Sequence, residues 1–369
     1  MWDARRWRDV VSGKDRSWKA AGLRLALAAT EPFVTAGVLW RNRRYDRGRA
    51  AIHDVGVPVI SVGNITLGGT GKTPMTAWLC RWFRRHLVRT AVVSRGYGAE
   101  AGAVNDEAAV LELQLPDVPH LQDPDRVAAA RTAVEELASQ LIVLDDAFQH
   151  RRLARALDIV MLDALEPFGL GHVFPRGMLR EPLGSLARAD VIVLSRADQI
   201  SADETERIRR RVLRYAPHAL WAESRHVPAA VLRIGREPAP VHELQGKRLA
   251  AFCGIGNPAA FRKTLSDLRL EMVAFREFPD HHRYRREDFA DLSRWAAANG
   301  AEMVLCTEKD WVKIRSPGLG GFQPAALRIE LEFTVGQADL ERRLEEILAT
   351  VRSREEREEE QSEASPGDP

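Results

Sequence analysis

The sequence predicts an α/β protein built on a parallel sheet with helices on both faces, followed by a smaller α/β domain and preceded by an apolar helix. Three observations carry this. Short apolar, β-branched runs alternate with helical patterns over residues 51–232, as in strands joined by helical crossovers. The runs are apolar almost throughout, which strands covered on both faces require. After a polar stretch at 233–247 with two prolines, the alternation restarts, which marks a linker. At 369 residues and 45% hydrophobic, the chain has material for about two domains.

The first element is unusual. Residues 1–50 hold 12 basic and five acidic residues, a local excess of +7, although the whole chain carries only +2. The near-neutral total excludes a nucleic-acid polycation. Ordinary glycine and proline usage excludes a collagen-like or largely disordered chain. Between the basic clusters, Trp18 to Trp40 is mostly apolar. The run starts late for a secretory signal, and Arg24, Glu31 and Pro32 interrupt it as a simple span. Arg24, Ala28, Glu31 and Thr35 fall on one narrow helical face. With Trp2, Trp7, Trp18 and Trp40 near basic residues, the pattern fits a helix lying in a membrane interface. A helix covering an apolar groove of the same protein is the competing reading. Residues 1–50 are thus expected to form a membrane-associating segment.

In the domain that follows (51–232), which the glycine-rich loop described below marks as nucleotide-binding, strands are expected at Val57–Val62, Thr90–Ser94, Leu141–Leu144, Ile159–Leu162 and Val191–Ser195. Pro74 is placed to open a helix, and Ser201 with Glu204 forms a capping-box pattern. The smaller domain (248–352) shows strands at Leu249–Cys253, Met272–Phe275 and Met303–Cys306. Helices are expected at Pro258–Leu268 and Arg286–Asn299, the second closed by Gly300. Residues 353–369 lack apolar periodicity and read as a disordered acidic tail. Cys80, Cys253 and Cys306 are scattered, with no CxxC pair. A disulfide scaffold and a zinc ribbon are therefore disfavoured, and the thiols fit a reducing cytoplasm.

The strongest chemical signal is a buried strand running into Thr66-Leu67-Gly68-Gly69-Thr70-Gly71-Lys72-Thr73 and then a helix. Glycines let backbone N–H groups approach phosphate oxygens, and a helix N-terminus adds positive potential. Lys72 is placed for the β- and γ-phosphates and the Thr73 hydroxyl for Mg²⁺. Thr66 stands where the common phosphate-loop spacing has a glycine, so the loop is a variant read in context. A second apolar run ends in Asp145 and Asp146. Carboxylates at such a strand end hold Mg²⁺ or its water shell in phosphate-loop enzymes. Adjacent strand residues point to opposite faces, so one of the two faces the phosphates. Without the loop, Asp-Asp after a strand is as often a turn or a cap.

Further polar patches follow in order: Ser94-Arg-Gly-Tyr97, Asn105-Asp106-Glu107, Asp145-Asp-Ala-Phe-Gln-His150, Leu179-Arg-Glu-Pro182, Gly254-Ile-Gly-Asn-Pro258, Phe278-Pro-Asp-His281 and Thr307-Glu-Lys-Asp310. Each alone is a loop with caps and surface charge. His281–His282 is an improbable zinc site, because no Cys or third His lies at ligand spacing. As an ordered set, with Val62-Gly-Asn64 and the Gly68–Pro74 loop, they resemble the tetraacyldisaccharide 4'-kinase family, the lipid A 4'-kinases of Gram-negative envelopes.

The resemblance implies a P-loop NTPase-like fold that transfers the ATP γ-phosphate, with Mg²⁺, to the 4'-hydroxyl of a tetraacylated glucosamine disaccharide 1-phosphate. It implies two partners, a lipid A disaccharide precursor and the inner-membrane surface, with no nucleic acid and no obligate protein partner. The place implied is the cytoplasmic face of the bacterial inner membrane, peripheral or monotopic. It also implies that Asp106 and His281 act together on the sugar hydroxyl, with domain closure bringing His281 in. Within that mechanism Glu181 is a weaker metal candidate, and Arg95 or Arg180 a candidate for charge on the transferring group. Three departures stand out. Asn105 and Ala147 occupy positions where the family has glycine, and the segment from Tyr97 to Asn105 is short, as if an extra hairpin of some relatives were missing. If the second glycine needs a left-handed backbone, the local turn here differs.

Three rivals are weaker. A regulatory GTPase finds only a faint echo in Ser195-Arg-Ala-Asp198, which lacks the Asn and Lys of a guanine-reading motif. A dethiobiotin-type synthetase needs neither the basic apolar N-terminus nor Phe-Pro-Asp-His. Intact Lys72, Thr73, Asp106 and Asp145 argue against an inactive binding protein on the same fold.

Overall fold

The computed structural model describes residues 4–96, 106–280, 282–314 and 324–364. Two helices come first, α1 (Ala4–Val11) and α2 (Trp18–Asp46). Then follow β1 (Val59–Asn64), α3 (Lys72–Arg85), β2 (Thr90–Ser94), α4 (Asp106–Gln114), β3 (His120–Gln122), α5 (Arg126–Glu135), β4 (Leu141–Asp145) and β5 (Leu157–Asp163). Next come β6 (Val191–Ser195), α6 (Ala202–Leu213), β7 (Leu220–Leu232), β8 (Arg248–Cys253), α7 (Pro258–Asp267) and β9 (Glu271–Glu277). The last are α8 (Arg286–Ala298), β10 (Met303–Thr307), α9 (Glu308–Ile314), β11 (Ala325–Val335) and α10 (Gln337–Ala364).

The chain forms two compact units, which are not contiguous in sequence. Residues 1–95, 117–225 and 333–369 make the first, and 96–116 with 226–332 the second. The expected linear division at 233–247 therefore differs from the observed one. The reason is local packing: α4 lies against α9 of the second unit, and β7 and β11 each run from one unit into the other. The expected linker is also structured. Val231 bridges Ala239, and Leu244 is fully buried in a one-turn helix.

In the first unit the strand order is β3-β2-β4-β1-β5-β6-β7. The pairings along this row are parallel. β1, β2, β4 and β6 are buried along their whole length, as their predominantly apolar sequences require. One core cluster gathers Ile65, Phe148, Leu162, Leu186 and Leu194 with Ile208 and Val212 of α6. Another gathers Val59, Val93, Ile142 and Leu144 with Val127, Ala130 and Ala133 of α5. In the second unit β11, β10, β8 and β9 pair in parallel, and Phe252, Phe289, Leu292 and Trp311 fill one of its cores. Cys80, Cys253 and Cys306 are buried and unbridged.

The expected strands all appear, shifted by at most two residues. Pro74 falls third in α3 rather than first, still within the turn whose N–H groups have no helical partner. Ser201 caps α6 by accepting from the Glu204 N–H at 3.3 Å. The acidic tail departs from expectation, because α10 continues through it to Ala364. Glu and Arg are strong helix formers, and Arg357 reaches back to the Ser353 carbonyl at 2.9 Å.

α2 is 29 residues long, or about 43 Å at 1.5 Å per residue. Its polar face turns inward. Arg24 donates to the Val10 and Asp15 carbonyls at 3.1 and 2.8 Å. Glu31 accepts from the Val173 N–H at 2.9 Å and from Arg176 at 3.0 Å. The apolar side chains turn outward: Trp18, Leu25, Phe33 and Trp40 are exposed, Phe33 by 81%. A helix covering an apolar groove would do the reverse.

Candidate functional site

β1 and β4 are parallel neighbours, with Val62 opposite Asp145. Their C-terminal ends therefore lie at one edge of the sheet, and the loop after β1 meets the carboxylates after β4. Ligands of open α/β sheets bind at such an edge, where connections leave a central strand in opposite directions. β1 qualifies, with β4 on one side and β5 on the other.

The loop is held from three sides. Asn64 Nδ2 donates to Thr70 Oγ1 at 3.1 Å. The Ser195 hydroxyl donates to the Thr70 carbonyl at 2.9 Å, and Arg196, itself paired with Asp163, donates to the Gly69 carbonyl at 2.8 Å. Opposite them, the Leu67 N–H donates to the Met178 carbonyl and the Arg180 N–H to the Ile65 carbonyl, both at 2.7 Å. Leu67 is thus a wall of the loop, its amide already engaged. Thr66, bridged to Leu179, anchors the same wall. Gly71, at φ 85, is the left-handed N-cap of α3, a conformation that glycine adopts without cost. The backbone N–H groups of Gly68, Gly69, Thr70 and Gly71 donate to no acceptor among the described residues.

Lys72 and Thr73 are buried at the start of α3. Lys72 Nζ stands 3.5 Å from Asp146, and Arg180 reaches the same carboxylate at 2.8 Å. Burial works to raise the Asp146 carboxyl, but Lys72 and Arg180 outweigh it and hold it below the usual range. Asp145, the last residue of β4, accepts from the Thr76 hydroxyl of α3 at 3.0 Å. The left-handed residue of this turn is Asp146, at φ 49, a conformation Asp tolerates better than most. Ala147 is not left-handed; it is buried, its N–H bonded to the Val62 carbonyl at 3.1 Å. That is how this turn manages without the expected glycine.

The oxygens of Thr73, Asp145 and Asp146 are hard donors. Among the described residues no group of three or more His, Cys, Asp and Glu forms a cage for a metal. This donor set fits an ion such as Mg²⁺, which uses one or two carboxylates and takes its remaining ligands from phosphates and water. Glu181 does not join it. That carboxylate is wholly buried and accepts from Arg41 at 2.6 Å, Asn42 at 3.1 Å and Arg188 at 2.9 Å.

Two features of the site have no local sequence signature. One is the Ser195–Arg196 brace. The other is Arg126, buried at the start of α5 with its Nε unpartnered among the described residues. Burial lowers its affinity for a proton, and the charges of Asp146 and Asp145 work the other way. Nearby, burial and the charges of Arg126, Arg155 and Arg152 push the His150 imidazole down to about 4.

Asp106 belongs to the second unit. It opens α4 and pairs with Lys313 at 2.8 Å, while Glu107 pairs with Lys309 at 2.7 Å. Burial works against the charged form of Lys309, and Glu107 more than offsets it. Glu308 takes hydrogen bonds from Gln114 at 2.6 Å and Arg328 at 2.9 Å. Asp310, wholly buried, accepts from the Gly254 N–H, the Tyr284 hydroxyl at 2.9 Å and the Thr307 hydroxyl at 2.6 Å. The patches Asp-Glu, Gly-Ile-Gly-Asn-Pro and Thr-Glu-Lys-Asp are therefore one network. His281, Tyr97 and Asn105 lie outside the described residues. His282 is engaged with Asp288 at 3.1 Å and stacks on Phe278.

A parallel sheet, a glycine loop with unengaged amides, a buried lysine and a strand-end carboxylate pair are the features of the phosphate-loop class of α/β proteins. Comparison with known proteins narrows the class. The model of the family "Tetraacyldisaccharide-1-P 4'-kinase" matches residues 23–349, and the chain belongs to that family. A tetraacyldisaccharide 4'-kinase of Anaeromyxobacter sp. (strain Fw109-5) is 41% identical over 345 residues, covering 88% of this chain and 91% of that one. The enzyme of that name in Syntrophus aciditrophicus is 39% identical, covering 84% and 88%. A crystal structure of LpxK from Aquifex aeolicus in complex with ATP superposes with a TM-score of 0.71 at 27% identity, covering 88% of this chain and 99% of that one.

Proposed function

We propose that this protein is the ATP-dependent 4'-kinase of a tetraacylated glucosamine disaccharide 1-phosphate in lipid A synthesis. The observation that carries the reading is the row of unengaged amides at Gly68–Gly71, closed by Lys72, whose Nζ stands 3.5 Å from Asp146. Such a row takes phosphate oxygens without rearrangement, and Lys72 is free to exchange Asp146 for the terminal phosphates. Thr73, Asp145 and Asp146 would hold Mg²⁺, which supplies charge neutralisation on the phosphates when bound. Arg180, 2.8 Å from Asp146, is the cation best placed for charge on the transferring group. Asp106 and His281 are the proposed acceptors of the sugar hydroxyl proton, a role that rests on the family resemblance. Turnover of labelled ATP and purified lipid disaccharide, with the phosphorylated lipid read by mass, tests the assignment. Lys72→Ala should lower kcat by about 10²–10³ or more. Asp106→Ala and His281→Ala should lower kcat by about 10²–10⁴, the usual worth of general-base help; near-normal turnover in both removes the pair from the mechanism.

The outward apolar side of α2, with a mean hydropathy of 1.2 over its most apolar 18 residues, supports a membrane-bound enzyme. With Arg24 and Glu31 bonded inward, docking in the interface leaves no buried charge facing lipid. The acceptor would then be met at the cytoplasmic face of the inner membrane, where ATP is available.

A further inference from the structure

The arginines of the N-terminal segment are not spread evenly. At the carbonyl end of α2, Arg41, Arg44, Tyr45, Arg49, His53 and Arg152 line an open cavity of about 340 Å³. That volume is at the small end of ligand cavities, about 300–1,000 Å³. Its lining contains no acid. Arg41 has a carboxylate partner in Glu181 at 2.6 Å and Arg152 in Asp125 at 3.2 Å. Arg44 and Arg49 have none among the described residues. The nearest acid in sequence, Asp46, is taken by Arg151 at 2.7 Å. The end of a helix carries about half a negative charge, which opposes an anion here, and the uncompensated guanidinium groups outweigh it.

The cavity is also firmly mounted. α2 ends in a turn that bonds the Arg49 N–H to the Arg44 carbonyl at 2.7 Å and the Gly48 N–H to the Tyr45 carbonyl at 3.0 Å. His53 is strapped to the Arg152 segment by two backbone bonds, its N–H to the Arg152 carbonyl at 2.7 Å and the Ala154 N–H to its own carbonyl at 2.9 Å. Arg44 stacks over Trp40, 5.1 Å from its ring centre, and Trp40 is largely exposed. None of the lining residues belongs to the loop at 66–73.

We propose that this cavity is a phosphate-ester site separate from the nucleotide loop, filled by the phosphate headgroup of an anionic bilayer lipid. Forked guanidinium donors match phosphate oxygens. The neighbouring tryptophan belongs to the residue type that settles at headgroup depth. The lipid source rests on the membrane docking of α2 proposed above.

The test uses the full-length protein, flotation on vesicles of phosphatidylcholine alone or with added phosphatidic acid, and titration with inorganic phosphate. Binding to the neutral vesicles reports docking of α2 by itself, so its loss overturns that reading and not the anion site. The gain on adding phosphatidic acid reports the cavity. Arg44→Gln with Arg49→Gln should cut that gain by about tenfold or more. Arg43→Gln with Arg47→Gln, exposed residues of the same turn outside the cavity, should keep most of it. Equal loss in both pairs means diffuse attraction and overturns the proposal, as does no loss in either. If the Arg44/Arg49 pair loses affinity for inorganic phosphate while floating like the native protein, the anion site stands and the lipid source falls.

Discussion

Lys72 and Asp146 show how a single contact prepares a site. Lys72 Nζ stands 3.5 Å from an Asp146 carboxylate that it shares with Arg180, so the lysine assigned to the phosphates under the proposed function is held in position by an opposite charge. Replacing Lys72 by Ala should therefore lower kcat by about 10²–10³ or more, the usual loss for one charge-stabilising donor, with the unfolding midpoint little changed. Gly63 is constrained differently. A Cβ there would lie 2.5 Å from the backbone N of Phe148, so Gly63→Ala must push apart β1 and the turn after β4. A loss of about 1–3 kcal/mol is expected, measured by urea unfolding. His150 sets a pH dependence. Its imidazole titrates near 6.5 when unfolded and at about 4 when folded. Between those values the unfolded chain holds a proton that the folded chain refuses. The full stability is therefore present above about pH 6.5 and is lost as pH falls toward 4, by at most about 3 kcal/mol from this group. Urea midpoints at pH 7.5 and 5 measure the fall, and His150→Gln should flatten it.

Among the elements, α2 and the segment 172–188 depend on each other. Glu181 is wholly buried between Arg41, Asn42 and Arg188, so Glu181→Ala leaves Arg188 buried without its counterion. Such a break costs about 3–5 kcal/mol. A thermal scan should show a large drop, partly restored by adding Arg188→Met. The same elements show what a sequence discloses. β2 and β6 were legible to the residue, because full burial selects a short, mostly apolar run rich in Val and Ile, ended in each by a serine. β7 was not: Leu220–Leu232 contains Glu223, Ser224, Arg225, His226 and Pro228, a mixture without strand periodicity. β11 alternates Arg328, Glu330 and Glu332 with apolar residues and lies beyond a stretch without pattern. The glycine loop at 66–73 was legible as a loop because its residues are contiguous. Its braces were not, since Ser195 and Arg196 reach it only through the strand order. Glu181 misled for the same reason, its partners on α2 lying about 140 residues upstream.

For the molecule as a whole, a net charge of +2 conceals a basic, outward-apolar N-terminal region. If α2 is the membrane-facing element, Leu25→Glu with Phe33→Glu should abolish flotation on neutral vesicles, while leaving transfer to detergent-dispersed acceptor near normal. Loss of both together would instead point to a folding defect.

The thiols give the molecule an experimental convenience. Burial pushes Cys80 and Cys253 up to about 12, and Cys306 rises as well. At neutral pH, on the order of one Cys80 or Cys253 side chain in 10⁵ carries the reactive thiolate. The folded chain is thus a silent background for maleimide dyes, and Phe33→Cys introduces one addressable handle on the outer side of α2. A polarity-sensitive fluorophore there should blue-shift on vesicles. Rapid labelling of the unsubstituted folded protein would show that one of its interior sulfurs opens to solvent.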